Sequence, residues 1–283
     1  MTCVTAEPEA LISAAGDSQI PRLAGPMSEE ELSGATRGSG PRFELGRRIP
    51  EAVVQAGFVV QPFTQQCQVI HAEGDHAVIG VSPGNSYFSR QRIRDLALWG
   101  LANFDRVDFV YTDVHVAESF EALGDSPIEA RRKAVKNIRG VRAKITATVN
   151  ELDPTGRRLS ARPMSEFQSN KAYRQLHADM VALMDADEEF RVVCQDLVRR
   201  FLSTKVAPRQ EPTAAQERVC MDYICAEAPL FLDTPAILGV PSSLNCYHQS
   251  LPLAEMLYAR GSGLRASRNQ GHAIVTPGGS AAE

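Results

Sequence analysis

Between Phe43 and Thr276, short apolar runs of β type alternate with amphipathic helical stretches, and this alternation restricts the fold more than any other feature. Strands are expected near 77–82, 107–112, 159–163, 242–248 and 272–276. Helices are expected near 89–104, 126–151, 170–185, 187–204, 213–228 and 251–260. Strands separated by helices pair in parallel, with the helices covering both faces of the sheet. The sequence therefore predicts one α/β domain over residues 42–276, built on a doubly wound parallel sheet.

Residues 1–41 stand apart. They hold five Gly, four Pro and five Ser, no aromatic residue, and six acids against two bases. So little apolar surface cannot offset the entropy of ordering, so a disordered tail is expected there, with a second flexible end over 277–283. The tail carries the whole net charge of −4, leaving residues 42–283 balanced at 28 acids and 28 bases. With 43% apolar and 23% charged residues, the chain can bury a sizeable core. No eighteen apolar residues run together and no basic-then-apolar leader is present, so a soluble, cytoplasmic protein is expected. Six cysteines without a CxxC pair or a His/Cys cluster suit reduced, buried thiols rather than a zinc site.

Residues 76–89, HAVIGVSPGNSYFS, end an apolar strand on Ser82, turn through Pro83 and Gly84, and enter a helix at about Ser86 or Ser89. A hydroxyl is thus expected at the carboxyl end of a buried strand, where open parallel sheets place their sites. Alternation sends Val78, Gly80 and Ser82 to one face and Ala77, Ile79 and Val81 to the other. Gly80 leaves room beside the serine. The first turn of the following helix could offer N–H groups to a carbonyl held against Ser82. Gly80-x-Ser82-x-Gly84 also spells the nucleophile elbow of α/β-hydrolases.

The helix from Ser126 has a clear start: Ser126 as cap, Pro127 in the first turn and Glu129 to complete a capping box. Within it Arg131, Arg132, Lys133, Lys136, Arg139, Arg142 and Lys144 run with no acid among them. At 100° per residue, Ala134, Ile138, Val141 and Ile145 share one side, and the cations form a ridge on the rest. A single-sign ridge forgoes i,i+4 pairing and adds repulsion, which points to a polyanionic partner held through its phosphates.

In VCMDYICAEAPL (219–230), Tyr223 and Glu227 lie one turn apart on a helix that Pro229 is expected to stop. A phenol and a carboxylate converging on one spot can hold an ammonium group or relay a proton. In VPSSLNCYH (240–248), Asn245 and Tyr247 face one way and Cys246 and His248 the other. Polar groups at the end of a core strand find partners or face a cavity.

Taken together, His76 to Ser82, Asn85, Y223-I-C-A-E227-A-P229 and Tyr247-His248 resemble the cyclodipeptide synthases, from about Phe43 to the end of the chain. The resemblance implies a Rossmann-like domain similar to the catalytic domain of class I tyrosyl-tRNA synthetases. The HIGH and KMSKS signatures of those synthetases are absent, so the chain is expected to use amino acids already charged on tRNA, with no ATP, metal or other cofactor. It also implies that Ser82 attacks the ester of a first aminoacyl-tRNA and keeps the acyl group. Glu227 and Tyr223 would hold its α-ammonium, with Glu227 taking a proton when that amine attacks. A second aminoacyl-tRNA supplies the amine for ring closure, Tyr247 relays a proton, and a diketopiperazine leaves. Asn85 and His248 would support the nucleophile and the tyrosine strand. The side-chain pocket for the first amino acid maps to Val78, Gly80, Val110 and Asn245. An unpaired amide at Asn245 would favour a phenol over phenylalanine, giving Tyr-tRNA as the expected substrate and cyclo(Tyr-Tyr) as the product.

The competing expectation is a serine esterase of α/β-hydrolase type, with Ser82 in its GxSxG and His272 completing a triad. It assigns no task to the basic ridge or to Tyr223 and Glu227. A silent tRNA-binding protein would need neither Ser82 nor Glu227.

Overall fold

The computed structural model describes residues 53–55, 57–203, 211–261 and 263–278. Residues 1–41, expected to form a disordered tail, lie outside them, as do 279–283.

The described elements begin with a hairpin, β1 (Val53–Gln55) and β2 (Phe58–Pro62), followed by α1 (Gln65–Glu73). Next come β3 (His76–Val81), α2 (Arg90–Asn103), β4 (Arg106–Tyr111), α3 (Val116–Ala122), α4 (Pro127–Leu152) and β5 (Leu159–Pro163). A 3-10 turn over Met164–Ser169 leads to α5 (Lys171–Ala186), α6 (Glu188–Ser203) and α7 (Ala214–Leu238). The chain closes with β6 (Ser243–Tyr247), α8 (Pro252–Ala259) and β7 (Gln270–Pro277).

The seven described strands form one sheet in the order β1-β2-β7-β6-β3-β4-β5. From β7 to β5 every neighbour is parallel, as expected. The hairpin adds an antiparallel edge that the sequence did not announce, with β2 beside β7 and Phe58 opposite Pro277. Gly57, at φ +80°, supplies the left-handed turn between β1 and β2. Pairing with β2 carries β7 through Pro277, one residue past the expected boundary of the domain.

Strand alternation divides the apolar side chains. Ala77, Ile79, Val81, Val107 and Phe109 pack with Ile93, Trp99 and Ile145 of α2 and α4. On the opposite face Val78 and Val110 pack with Met164, Phe167, Tyr173 and Leu230. Cys67, Cys194, Cys220, Cys225 and Cys246 are buried free thiols. Among the described residues no helix is long and apolar enough to cross a membrane.

Pro229 does not stop α7, contrary to expectation. The helix runs on through Leu232, because Ala228 to Leu232 are all buried and packing outweighs one missing backbone bond, and a second short piece continues to Leu238. Its break falls at Asp233 (φ −160°, ψ 67°), two residues before Pro235, whose ring would meet the preceding turn. Asp233 caps the short second piece by accepting from Ala236 N at 3.2 Å, while Thr234 N donates instead to Gln270 Oε1 at 2.7 Å.

Candidate active site

β3 and β4 run parallel in register, Val81 beside Tyr111, so Ser82 and Thr112 emerge together at the carboxyl edge. β6 joins the other side of β3, with Val78 beside Asn245. The chain has built β3-β4-β5 outward in one direction and then returns to add β6 and β7 in the other. A crevice at such a switch point is where open α/β sheets bind ligands.

One cavity occupies this crevice. Val78, Gly80, Ser82, Val110, Asn245 and Tyr247 line it, as the alternation predicted for β3, and Thr112, Glu227 and Met164 are also part of its wall. Ser82 Oγ and Tyr247 Oη are 3.0 Å apart, both nearly out of contact with solvent. The space left by Gly80 is taken by the Tyr247 ring.

Opposite them, α7 brings Tyr223 and Glu227 together as the i,i+4 spacing required. The Tyr223 hydroxyl donates to Glu227 Oε1 and lies 3.0 Å from Thr112 Oγ1, which is itself 3.3 Å from Glu227 Oε1. Glu227 Oε2 is buried with no protein partner among the described residues. Burial pushes the Glu227 carboxyl up to about 7, against the hydrogen bonds from Tyr223 and Thr112. Burial, then the neighbouring Glu227, hold the Tyr223 phenol well above its ordinary value, so it stays a donor. Sequence reasoning missed Thr112; its one signal was a strand ending in a hydroxyl, as β3 does.

Asn245 is not the unpaired amide expected. Its Nδ2 reaches the Leu230 carbonyl at 3.4 Å, an acceptor left without its helical N–H where Thr234 N turns away. Asn85 and His248 lie off the cavity wall. Asn85 Oδ1 accepts from Tyr87 N at 2.9 Å and shapes the turn after Ser82. His248 stacks on Tyr87 at 4.0 Å, and burial pulls its imidazole down to about 4, so it is neutral near pH 7.

A second groove leads from Ser82 past Asn85 and Phe88 to Lys136, Gly140 and Lys144 of α4. Ser126 caps α4 by accepting from Glu129 N, but the Glu129 carboxylate bonds Arg132 rather than closing a capping box. As expected, Ala134, Val141 and Ile145 are buried. Three of the seven cations have partners among the described residues of this chain. Lys133 binds Asp125, Arg132 pairs with Glu129, and Lys144 Nζ donates to the Phe88 carbonyl at 3.0 Å. Arg131, Lys136, Arg139 and Arg142 are exposed and make no ion pair among the described residues.

The hydrolase geometry is not assembled. α2 starts at Arg90, capped by Ser89, so seven residues separate its first turn from Ser82 and no elbow forms. His272 Nδ1 bonds the Asn245 carbonyl at 3.0 Å, and its ring packs against Phe231 and Tyr258, while Ser82 bonds Tyr247. Among the described residues no group of three or more His, Cys, Asp or Glu is placed to hold a metal ion.

Comparison with known proteins agrees with this geometry. A family model described as cyclodipeptide synthase matches residues 58–277. The chain is 78% identical to the cyclo(L-tyrosyl-L-tyrosyl) synthase of Mycobacterium tuberculosis over 289 aligned positions, covering 100% of each chain. The cyclo(L-leucyl-L-phenylalanyl) synthase of Streptomyces noursei is 34% identical over 210 residues, covering 74% of this chain and 88% of that one. A solved Mycobacterium tuberculosis structure, described as relating cyclodipeptide synthetases to type I tRNA synthetases, superposes with TM-score 0.78 at 84% identity. It covers 83% of this chain and 100% of the other. With a family match across almost the whole described sheet and a relative aligned end to end, the chain belongs to the cyclodipeptide synthase family.

Proposed function

We propose that this enzyme joins two tyrosyl groups from Tyr-tRNA into cyclo(L-Tyr-L-Tyr), through an acyl group held on Ser82. The observation that carries this is one cavity holding Ser82, Tyr247 and Glu227, joined at Ser82 to a groove running to the cations of α4. The Mycobacterium tuberculosis relative, named a cyclo(L-tyrosyl-L-tyrosyl) synthase, supports the choice of amino acid.

Ser82 Oγ attacks the ester carbonyl, the bond to the tRNA breaks, and the serine proton leaves with the terminal tRNA hydroxyl. Glu227 holds the α-ammonium of the bound group and takes its proton when the freed amine attacks a second aminoacyl-tRNA ester. That step forms the first amide and releases the second tRNA. The new terminal amine then attacks the Ser82 ester, closing the ring. Tyr247, already hydrogen-bonded to Ser82 Oγ, passes the amine proton to the departing serine. The tRNA esters store the activation, so the site supplies proximity and proton management. Such a pathway belongs in the cytoplasm, with the charged tRNA pool.

Ser82→Ala tests the scheme. Incubated with Tyr-tRNA and followed by intact mass, the parent gains one tyrosyl group and the variant gains none and makes no product, at an unchanged melting temperature. Cyclic dipeptide at a parental rate from the variant would overturn covalent catalysis on Ser82.

A further inference from the structure

Thr112 is a buried hydroxyl, 6% exposed, on the cavity wall beside Glu227. Its oxygen, the Tyr223 phenol and Glu227 Oε1 form a closed triangle of contacts. An ionised carboxylate only accepts, so the Tyr223 proton points to Glu227. The single Thr112 proton then points to Tyr223 or to Glu227, since these are its two partners. Both hydroxyl protons are thereby directed into the triangle, and the lone pairs of Thr112 Oγ1 are left facing the cavity. Glu227 Oε2, buried and without a partner among the described residues, is a second acceptor in the same corner.

A corner that offers acceptors and no donor suits a group that is all donor. The α-ammonium of an acyl-Ser82 intermediate is such a group, with three N–H bonds. A hydroxyl or a methylene in its place leaves a buried carboxylate oxygen unsatisfied.

We infer that Thr112 Oγ1 shares the α-ammonium of the Ser82-bound aminoacyl group with Glu227, making the site selective for a free ammonium at the first acylation. This rests on the acyl-enzyme scheme above. Thr112 is then a substrate-binding group, and Tyr223 orients Glu227 from behind it.

The experiment measures single-turnover acylation of Ser82 by intact mass, in the parent, Thr112→Val and Thr112→Ser. Each protein is offered Tyr-tRNA and the des-amino ester, 3-(4-hydroxyphenyl)propionyl-tRNA. A hydrogen bond to a charged group sets the expected loss for Thr112→Val at about 10- to 100-fold with Tyr-tRNA. With the des-amino ester the parent and Thr112→Val converge on one slow rate, which also shows that the variant is folded. Thr112→Ser keeps the oxygen and stays within about threefold of the parent with Tyr-tRNA. An unchanged rate for Thr112→Val with Tyr-tRNA, or an equal loss with both esters, overturns the assignment while leaving the acyl-enzyme intact. A parent that forms no adduct on Ser82 overturns the acyl-enzyme scheme itself, and the role of Thr112 with it.

Discussion

Gly80 lies against the ring of Tyr247: a Cβ built on that glycine would stand 3.4 Å from Tyr247 Cδ2. An alanine makes ordinary van der Waals contact there, whereas the branched carbons of valine would have to displace the ring that holds Ser82. Gly80→Val is therefore expected to lower product formation at least tenfold and to cost about 1–3 kcal/mol from overpacking. Gly80→Ala should stay close to the parent in both. Parallel assays of product and chemical denaturation check this, and a fully active Gly80→Val would show that Tyr247 need not stand where it does.

Glu227 gives the reaction a pH dependence. As a base it must be ionised, and its carboxyl titrates at about 7, so the rate of the step in which it takes a proton should fall as pH drops below that value. In Glu227→Gln that limb should vanish along with most of the rate. Stability moves the opposite way. A carboxyl raised in the folded state favours folding below its unfolded value near 4.5 and loses that contribution as pH rises through 7. Glu227→Gln should thus raise the melting temperature more at pH 8 than at pH 5.5. A larger gain at pH 5.5 would contradict the burial that shifts the group.

Lys136, Arg139 and Arg142 are the cations to reverse, since Arg132, Lys133 and Lys144 already have protein partners. The triple change to Glu should weaken tRNA binding, and each lost phosphate contact should reduce the slope of log affinity against log salt by roughly 0.7–0.9. Filter binding across a salt series measures both. An unaltered slope would make the ridge an ordinary solvated face.

Asn245→Leu should shift the preference from tyrosine toward phenylalanine and leucine. The Leu230 carbonyl keeps the Thr234 hydroxyl at 2.7 Å when the amide is gone, so the fold tolerates the change. At 3.4 Å the contact with Leu230 is long, so the amide can still serve a phenol, and a phenol that loses it forfeits about 1–3 kcal/mol, or roughly 5- to 150-fold in preference. Product profiles from a mixed pool of charged tRNAs report the shift, and an unchanged profile would remove Asn245 from specificity.

Beneath the cavity, Asp108 is fully buried and accepts from Arg106 at 2.7 Å, Arg162 at 3.0 Å and Ser160 at 2.5 Å. Burial alone would raise its carboxyl, but the His76 ring 3.4 Å away, the hydrogen bond from Ser160 and the charge of Arg162 hold it well below the usual range. Asp108→Ala should cost about 3 kcal/mol, because it strands the partly covered Arg106 guanidinium and leaves Arg162 with Glu166 alone. A depressed carboxyl stabilises above its unfolded value and loses that as pH falls, so the deficit should narrow in acid below pH 4. Denaturation at pH 7 and pH 3 makes the comparison.

The parallel sheet and the placement of Ser82, Val78, Val110 and Tyr247 were legible because period-two alternation and strand-helix order are local signals. Tyr223 and Glu227 were legible for the same reason, through helical spacing. Thr112 was not, since its meaning depends on β4 lying in register beside β3, a non-local fact. The partners of Lys133 and Arg132 lie just outside the run of cations, so counting within the run did not reveal that these two are paired. The continuation of α7 past Pro229 reflects burial on every side, which a breaker rule does not weigh. The β1-β2 hairpin was overlooked because it closes an edge of the sheet without adding a parallel crossover.

The hydrogen bond between Ser82 and Tyr247 spans 165 positions of sequence. During synthesis the nucleophile therefore exists as a bare serine until β6 has been made and has docked against β3. Under the proposed function this enzyme draws on the same charged tRNA that the ribosome spends in making it. A stalled or clipped chain ending before β6 lacks both Tyr247 and Asn245, so it carries Ser82 without the groups that would let it drain that supply. The chain order thus acts as a safeguard: the drain on translation opens only after β6 has been made and has docked.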